Sequence, residues 1–179
     1  MNKSYKNLVF SAVCLALCML LPLLTGQLQQ LGNALCPMHI PVLICGFIAG
    51  PWYAAAVGAI APLLRFLIFG MPPIFPIGIA MCFELAAYGV VSGFLYKLLP
   101  KKTLNIYASL IAAMLAGRVV WGIARAVLSG ASGSPFTWQA FLAGGFINAV
   151  PGIILHILLI PVIVMALERA GFMKERTVT

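Results

Sequence analysis

The sequence carries little charge, and almost all of its charge is positive. Its 179 residues include 11 Lys or Arg but only 3 acidic residues, none of which is Asp; 8% of residues are charged and 63% are apolar. Soluble domains average about 25% charged and about 45–50% apolar residues. This composition excludes an ordinary soluble globule, and its hydrophobicity excludes a disordered chain. We therefore interpret residues 1–179 as a single integral membrane domain.

Several kinds of site are excluded because the residues that they need are missing. Without Asp there is no Ser/His/Asp triad, and two His residues with one Glu in the apolar segments are too few for a metal cluster. The five Cys residues form no C-x-x-C pair, and no G-x-x-x-x-G-K-[ST] loop for ATP occurs. We expect the chain not to be an enzyme and to hold no cofactor or metal.

Apolar segments predict an all-α integral membrane protein with six transmembrane helices. A bilayer core takes about 20 residues per helix, with a range of about 17–25. Prolines exclude a regular helix over 70–76, and Pro151 and Pro161 are expected to bend the last span. No alternating ten-residue segments of a membrane barrel occur. The predicted spans are 8–25, 38–50 (the least typical, because it is short), 52–69, 77–96, 104–128 and 139–168.

The positions of the basic residues predict the orientation of these spans. Eight of the 11 Lys and Arg residues lie in the N-terminal segment, the turn at 97–103 and the C-terminal segment. The alternate connections, 26–37, 70–76 and 129–138, contain no charged residue. Cytoplasmic loops carry an excess of Lys and Arg. The N and C termini are therefore predicted to be cytoplasmic, and the three uncharged connections to be external.

Four further charged residues, Arg65, Glu84, Arg118 and Arg125, fall within the predicted spans, where each is energetically costly. At about 1.5 Å of rise per residue, all of them lie in the outer half of the bundle, level with two other polar residues. Arg118, Trp121 and Arg125 are also spaced i, i+3, i+7, which places them on one helix face. The candidate substrate-binding residues are Arg65, Glu84, Arg118, Trp121, Arg125, Asn148 and His39.

Two interpretations of these buried charges stay open. In the structural one, Glu84 pairs with one Arg while Arg65 and Arg125 extend their guanidinium groups to the outer interface. In the functional one, the polar groups converge on a pocket that opens outward. One Glu does not neutralise three Arg, so that pocket is net cationic and suits an anionic solute, whose carboxylate or phosphate matches the forked Arg donors.

Three stretches resemble a known family of transport proteins. They are HIPVLICGFIAGP (39–51), APLLRFLIFGMPPIFP (61–76) and FELAAYGVVSGFLY (83–96). Together with the uncharged outer face, the basic inner face and the missing nucleotide site, they resemble the substrate-binding S component of energy-coupling factor (ECF) transporters. The resemblance is to the large group that includes pantothenate, riboflavin, folate and cobalamin carriers.

The resemblance implies a function and a set of partners. An S component binds a vitamin or related micronutrient from outside with high affinity in the plasma membrane of a prokaryote. It associates with a coupling transmembrane subunit and two ATPase subunits, and is thought to topple to release its substrate inside. Ala12 and Ala16 match the small-x-x-x-small pair on which S components dock to the coupling subunit, and 26–37 and 70–76 would gate the pocket.

The substrate is the most open part of this prediction. A net cationic pocket argues against thiamine and favours an anion, so pantothenate ranks first; riboflavin, folate, a cobalamin precursor and a modified nucleobase stay open. Gln27, Gln29 and Gln30 are further candidate hydrogen-bonding groups. The alternative function is a stand-alone secondary transporter of a small anionic metabolite, in which Glu84 would couple to an ion.

Overall fold

The helices of the protein account for nearly all of the residues that its structure describes. The computed structural model describes residues 3–24, 32, 34–100, 102–133 and 135–173, and no strand occurs among them. The all-α prediction is therefore confirmed for this part of the chain. In chain order the helices are α1 (Lys3–Leu24), α2 (His39–Ile48), α3 (Pro51–Phe69), α4 (Ile79–Leu98), α5 (Thr103–Ala131), α6 (Trp138–Leu142) and α7 (Val150–Arg169), with π-helical turns at Ile74–Gly78 and Ala143–Ile147.

Five helical stretches in the described ranges are long and apolar enough to cross a membrane. They are Ser4–Leu23, Pro51–Phe69, Ile74–Leu98, Thr103–Ala131 and Trp138–Arg169. The sixth predicted span is the ten-residue α2, which rises only about 15 Å. The count of six spans and the cytoplasmic termini therefore stay predictions.

The last predicted span, 139–168, is not one continuous α-helix. Its first part is α6 and a π-helical turn containing Gly144 and Gly145, after which α7 begins at Val150. We expected Pro151 to bend the helix from inside. Instead Pro151 stands in the first turn of α7, where a missing N–H removes no helical hydrogen bond, while Pro161 lies inside α7.

Helices α3 and α4 pack at very short range through small residues. A Cβ atom built on Gly58 would lie 2.5 Å from the backbone of Leu85, and one on Gly89 would lie 2.6 Å from the backbone of Ala54. The pairs Ala54/Gly58 and Gly89/Gly93 thus face each other across the α3–α4 contact. Small residues four apart allow such backbone contact in membranes, where dispersion replaces the hydrophobic effect as the driving force.

The short helix α2 leaves one end of the bundle open. It lies in the centre of the bundle and every residue from His39 to Phe47 is buried. The segments 34–38 and 70–78 lie at the end where α2 begins, as does Phe136, which packs on Trp121; we call this the cavity end, and the other the opposite end. Because α2 starts part-way down the bundle, the space above its first turn is not filled by a helix.

Candidate functional site

A cavity of about 250 Å³ occupies the space above the first turn of α2. All seven residues predicted from the sequence line it: Arg65 on α3, Glu84 on α4, Arg118, Trp121 and Arg125 on α5, His39 on α2 and Asn148 after the second π-turn. Its remaining lining consists of Pro22, Gly32, Cys36, Pro37, Met38, Met71, Pro72, Pro73, Ile77, Met81 and Gly144. The structure therefore brings the predicted residues together, while their contact with a substrate stays a prediction.

Glu84 is the centre of a polar cluster at the floor of the cavity. Its side chain is 1% exposed, and its Oε1 accepts a hydrogen bond of 2.8 Å from Arg118 Nη1 and one of 3.1 Å from the Tyr88 hydroxyl. Nε2 of His39 lies 3.5 Å from the same oxygen. A buried carboxylate is stabilised only when it is paired and hydrogen-bonded, and Arg118 supplies both interactions.

Two stacked histidines lie at the floor beside this carboxylate. The rings of His39 and His156 are 6.0 Å apart and inclined by 22°, and both residues are buried. His156 lies beside the backbone of Leu35 and Cys36. Both ring nitrogens of His39 and Nε2 of His156 lack a hydrogen-bond partner in the described part of the chain. Nδ1 of His39 is therefore a polar atom that the described residues leave unpaired.

The segment 34–38 forms one wall of the cavity and is fixed by α5 and α7. Arg118 Nη2 donates to Cys36 Sγ at 3.6 Å. Gly152 on α7 allows close approach, since a Cβ there would lie 2.6 Å from the carbonyl oxygen of Ala34. Cys36 adopts a positive φ of 46°, a strained conformation for a residue with a side chain. Arg118 thus joins the floor to the wall.

Arg65 and Arg125 are the two cavity-lining cations without an acidic partner among the described residues. Arg65 is only 8% exposed, and its Nη1 has no hydrogen-bond partner there. Nε and Nη1 of the partly buried Arg125 are likewise unpartnered. Each guanidinium lies 5.4 Å from an aromatic ring centre, Phe69 for Arg65 and Phe136 for Arg125. Ring contact stabilises a cation but leaves its in-plane N–H donors available.

The structure bears on each part of the structural interpretation of the membrane charges. Glu84 does pair with one Arg, as the structural interpretation requires. Arg65, however, does not extend to the outer interface, because it is buried within the bundle. The cavity therefore keeps two cations in excess, from three Arg residues and one Glu.

Aromatic rings form the wall next to Arg125. Trp121 packs edge-on against Phe136, with ring centres 5.8 Å apart, and stacks on Phe141 at 6.3 Å. A Cβ on Gly144 would lie 2.9 Å from the Trp121 ring, so glycine is what lets the π-helical turn pass beside the indole. The cavity therefore combines apolar walls with few polar groups, which is typical of small-molecule sites.

Sequence reasoning missed two residues at the floor, Tyr88 and His156, and one on the wall, Cys36. Tyr88 follows Glu84 by four residues on one helix, so its contact follows from the i, i+4 spacing. His156 stacks on His39, and its Nε2 has no partner in the described ranges. No sequence signal identifies Cys36. The candidates Gln27, Gln29 and Gln30 lie outside the described residues, as does most of the predicted gate at 26–37.

Comparison with known proteins agrees with the fold and the cavity. The family model described as ECF transporter, substrate-specific component, matches residues 6–164. No match was found among curated proteins or among solved structures. The family implies a membrane-embedded transport subunit rather than an enzyme, associated with ECF transmembrane and ATPase modules and with a small-molecule substrate. The chain belongs to the substrate-specific S components of ECF transporters.

Proposed function

We propose that this S component captures a small anionic vitamin or vitamin precursor from outside the cell in the cavity above α2. The observation that supports this most strongly is the pair of guanidinium groups of the buried Arg65 and the partly buried Arg125, which keep Nη1 of Arg65 and Nε and Nη1 of Arg125 without a partner in the described structure. An uncompensated buried charge is energetically costly. A bound carboxylate or phosphate would supply the missing acceptors and neutralise that charge.

Pantothenate is the first candidate. It is a small monoanion with hydroxyl and amide groups, and the cavity offers His39 and Asn148 beside the cations. A volume of about 250 Å³ is near the lower limit of about 300–1,000 Å³ for small-molecule pockets. That size favours pantothenate over folate or a cobalamin precursor, and the positive charge disfavours thiamine.

A thermal-stability screen of the purified chain in detergent tests this proposal. A ligand at 100 times its Kd stabilises a protein by about 2.7 kcal/mol. We expect pantothenate to raise the unfolding temperature, thiamine not to, and Arg65→Gln or Arg125→Gln to reduce the rise. Arg169→Gln, the same change at the opposite end, is the matched control. Equal stabilisation by thiamine, or an unchanged effect in both cavity variants, would contradict the proposal.

The topology and partners extend the same proposal. Six spans with cytoplasmic termini in a prokaryotic plasma membrane would place the cavity end outside, where 70–76 contributes Met71, Pro72 and Pro73 to the rim. Energy would come from two ATPase subunits through a coupling subunit docked at Ala12 and Ala16, both of which are exposed on α1. The structure of 25–31 and residue 33 is outside the described ranges, so its part in the gate is a prediction from sequence.

Uptake in vesicles distinguishes this function from a stand-alone secondary transporter. We expect concentrative uptake of the ligand only when the coupling subunit and both ATPase subunits are present with ATP. Concentrative uptake by this chain alone, driven by an ion gradient, would support the alternative and contradict the proposal. Family membership favours the first result.

A further inference from the structure

We infer that the cavity selects an elongated ligand in one orientation, with its anionic end at Arg65 and Arg125 and a hydrogen-bond-donating end at Glu84. This inference rests on the proposed function, because it assumes that the cavity binds the substrate. It adds the polarity of each end of the ligand and its length.

In the upper part of the cavity, the charged residues are hydrogen-bond donors and not acceptors. Arg65 and Arg125 belong to different helices, α3 and α5, and both lie within two turns of the cavity end of their helix. Their unpartnered N–H groups have no acidic residue within ion-pairing distance among the described residues. The ligand group that fits this part is a carboxylate or phosphate, whose oxygens accept hydrogen bonds.

The floor has the opposite hydrogen-bonding character. The three polar contacts of Glu84 (Arg118 Nη1, the Tyr88 hydroxyl and His39 Nε2) all reach Oε1. A carboxylate has about four acceptor sites over its two oxygens, so Oε2 keeps its capacity to accept. Glu84 lines the cavity, and a second anion would be repelled there. The floor is therefore matched by a hydroxyl, amide or amine donor.

The helical spacing sets the distance between the two ends. Arg118, which fixes Glu84, precedes Arg125 by seven residues on α5, which corresponds to about 10 Å along the axis. A ligand that satisfies both ends therefore needs a chain of several bonds between its anionic group and its donor. Short hydroxy acids are too small to do this, and a plain fatty acid or dicarboxylate lacks the donor.

Two analogues of pantothenate test each end separately on the unmodified protein. Panthenol keeps the hydroxyl end and replaces the carboxylate by a neutral alcohol. N-(3,3-dimethylbutanoyl)-β-alanine keeps the carboxylate and lacks both hydroxyl groups. Leaving a buried polar group unpaired costs about 1–3 kcal/mol, so we expect each analogue to bind about 5- to 150-fold more weakly than pantothenate. Isothermal titration calorimetry in detergent gives the three dissociation constants.

Single substitutions, each with a matched control, show which residue causes the weaker binding of each analogue. In Glu84→Gln the preference for pantothenate over N-(3,3-dimethylbutanoyl)-β-alanine, the dideoxy analogue, should fall. The reason is that a neutral amide oxygen accepts a hydrogen bond less strongly than a carboxylate. Glu168→Gln, the same change near the opposite end, should keep the full preference. In Arg125→Gln, pantothenate should weaken while panthenol is unaffected.

The possible failures are distinguishable. Equal binding of the dideoxy analogue and pantothenate, with panthenol weaker, would overturn the acceptor floor and leave the anion-binding function intact. Equal binding of panthenol and pantothenate would overturn the proposed function and this inference with it. Binding of none of the three would overturn the assignment of an elongated hydroxy acid to this cavity.

Discussion

At the scale of single residues, the Glu84–Arg118 ion pair holds the floor of the cavity together. Glu84 is 1% exposed and Arg118 is 7% exposed, so neither charge is compensated by solvent. Removing one partner of a buried pair destabilises a protein by about 3–5 kcal/mol, whereas replacing both by apolar groups is often neutral. The pair is therefore an internal requirement of the fold as well as part of the cavity.

A single and a double substitution measure this requirement. We expect Arg118→Leu alone to lower the free energy of unfolding by about 3–5 kcal/mol, because it leaves Glu84 buried and unpaired. Adding Glu84→Leu should restore most of the loss. Unfolding in detergent by increasing SDS gives the three free energies. A double variant no more stable than Arg118→Leu would show that the unpaired Glu84 does not cause the loss of stability.

Part of the site was predictable at this scale, for a physical reason. Charged residues in apolar spans are rare and therefore easily recognised. Their positions along the spans alone predicted that Arg65, Glu84, Arg118 and Arg125 lie at a similar depth. The pairing of Glu84 was not predictable, since three Arg residues lie at similar depths and only the packing of α4 on α5 selects Arg118. The contact of Cys36 depends on the fold of a loop, for which periodicity gives no signal.

At the scale of elements, the close contact of α3 and α4 sets the shape of the bundle around the cavity. These helices carry Arg65 and Glu84, and Gly58 and Gly89 bring their backbones together below the cavity. The sequence shows the small-x-x-x-small pairs but also shows several others, so composition does not tell which of them face each other. The structure assigns the α3 and α4 pairs to one interface.

Substituting alanine at one glycine tests this contact. Gly58→Ala would place a Cβ 2.5 Å from the Leu85 backbone, and overpacking of this kind costs about 1–3 kcal/mol. The control is Gly130→Ala on α5, where no atom lies within 4 Å; there we expect no loss or a gain of about 0.4–1 kcal/mol. Unfolding midpoints in detergent check both. Equal effects of the two substitutions would contradict the packing.

The observed helix boundaries show which parts of the fold hydropathy predicts and which it does not. Hydropathy located each predicted span to within a few residues of a helical stretch, because long apolar runs must satisfy their backbone hydrogen bonds internally. The break in the last span was misplaced, since a proline inside an apolar run predicts a bend but not whether the helix begins there. The shortness of α2, unusual for a membrane helix, turned out to create the cavity.

At the scale of the whole molecule, the cavity and the proposed docking pair, Ala12 and Ala16, lie on different parts of the bundle. Ala12 and Ala16 are exposed on α1 and do not line the cavity, whereas Cys14 and Cys18 on the same helix are buried against the bundle. Ligand capture and partner docking should therefore be separable by mutation.

Bulky substitutions on α1 test this separation. We expect Ala12→Trp with Ala16→Trp to keep ligand-induced thermal stabilisation and to lose co-purification with the coupling subunit and ATP-dependent uptake. Val119→Trp with Ile123→Trp, an exposed pair at the same spacing on α5, is the control and should retain both. Normal co-purification of the α1 variant would show that docking lies elsewhere.

The central claim is that the cavity is net cationic and reachable by small anions, and Cys36 provides a direct measure of it. Its Sγ lies 3.6 Å from Arg118 Nη2 on the cavity wall. Two methanethiosulfonate reagents of opposite charge, sulfonatoethyl and trimethylammonioethyl, modify thiols by the same chemistry. Their rates at this thiol, corrected with Cys36→Ser and each divided by the rate of the same reagent with a free thiol in solution, report the local potential.

We expect the anionic reagent to modify Cys36 about tenfold faster than the cationic one, because a positive cleft concentrates anions. In Arg65→Gln with Arg125→Gln, that ratio should fall towards one, and ligand should protect Cys36 in the unmodified protein. Equal rates for the two reagents, faster reaction of the cation, or no modification of Cys36 by either would contradict an anion-binding cavity.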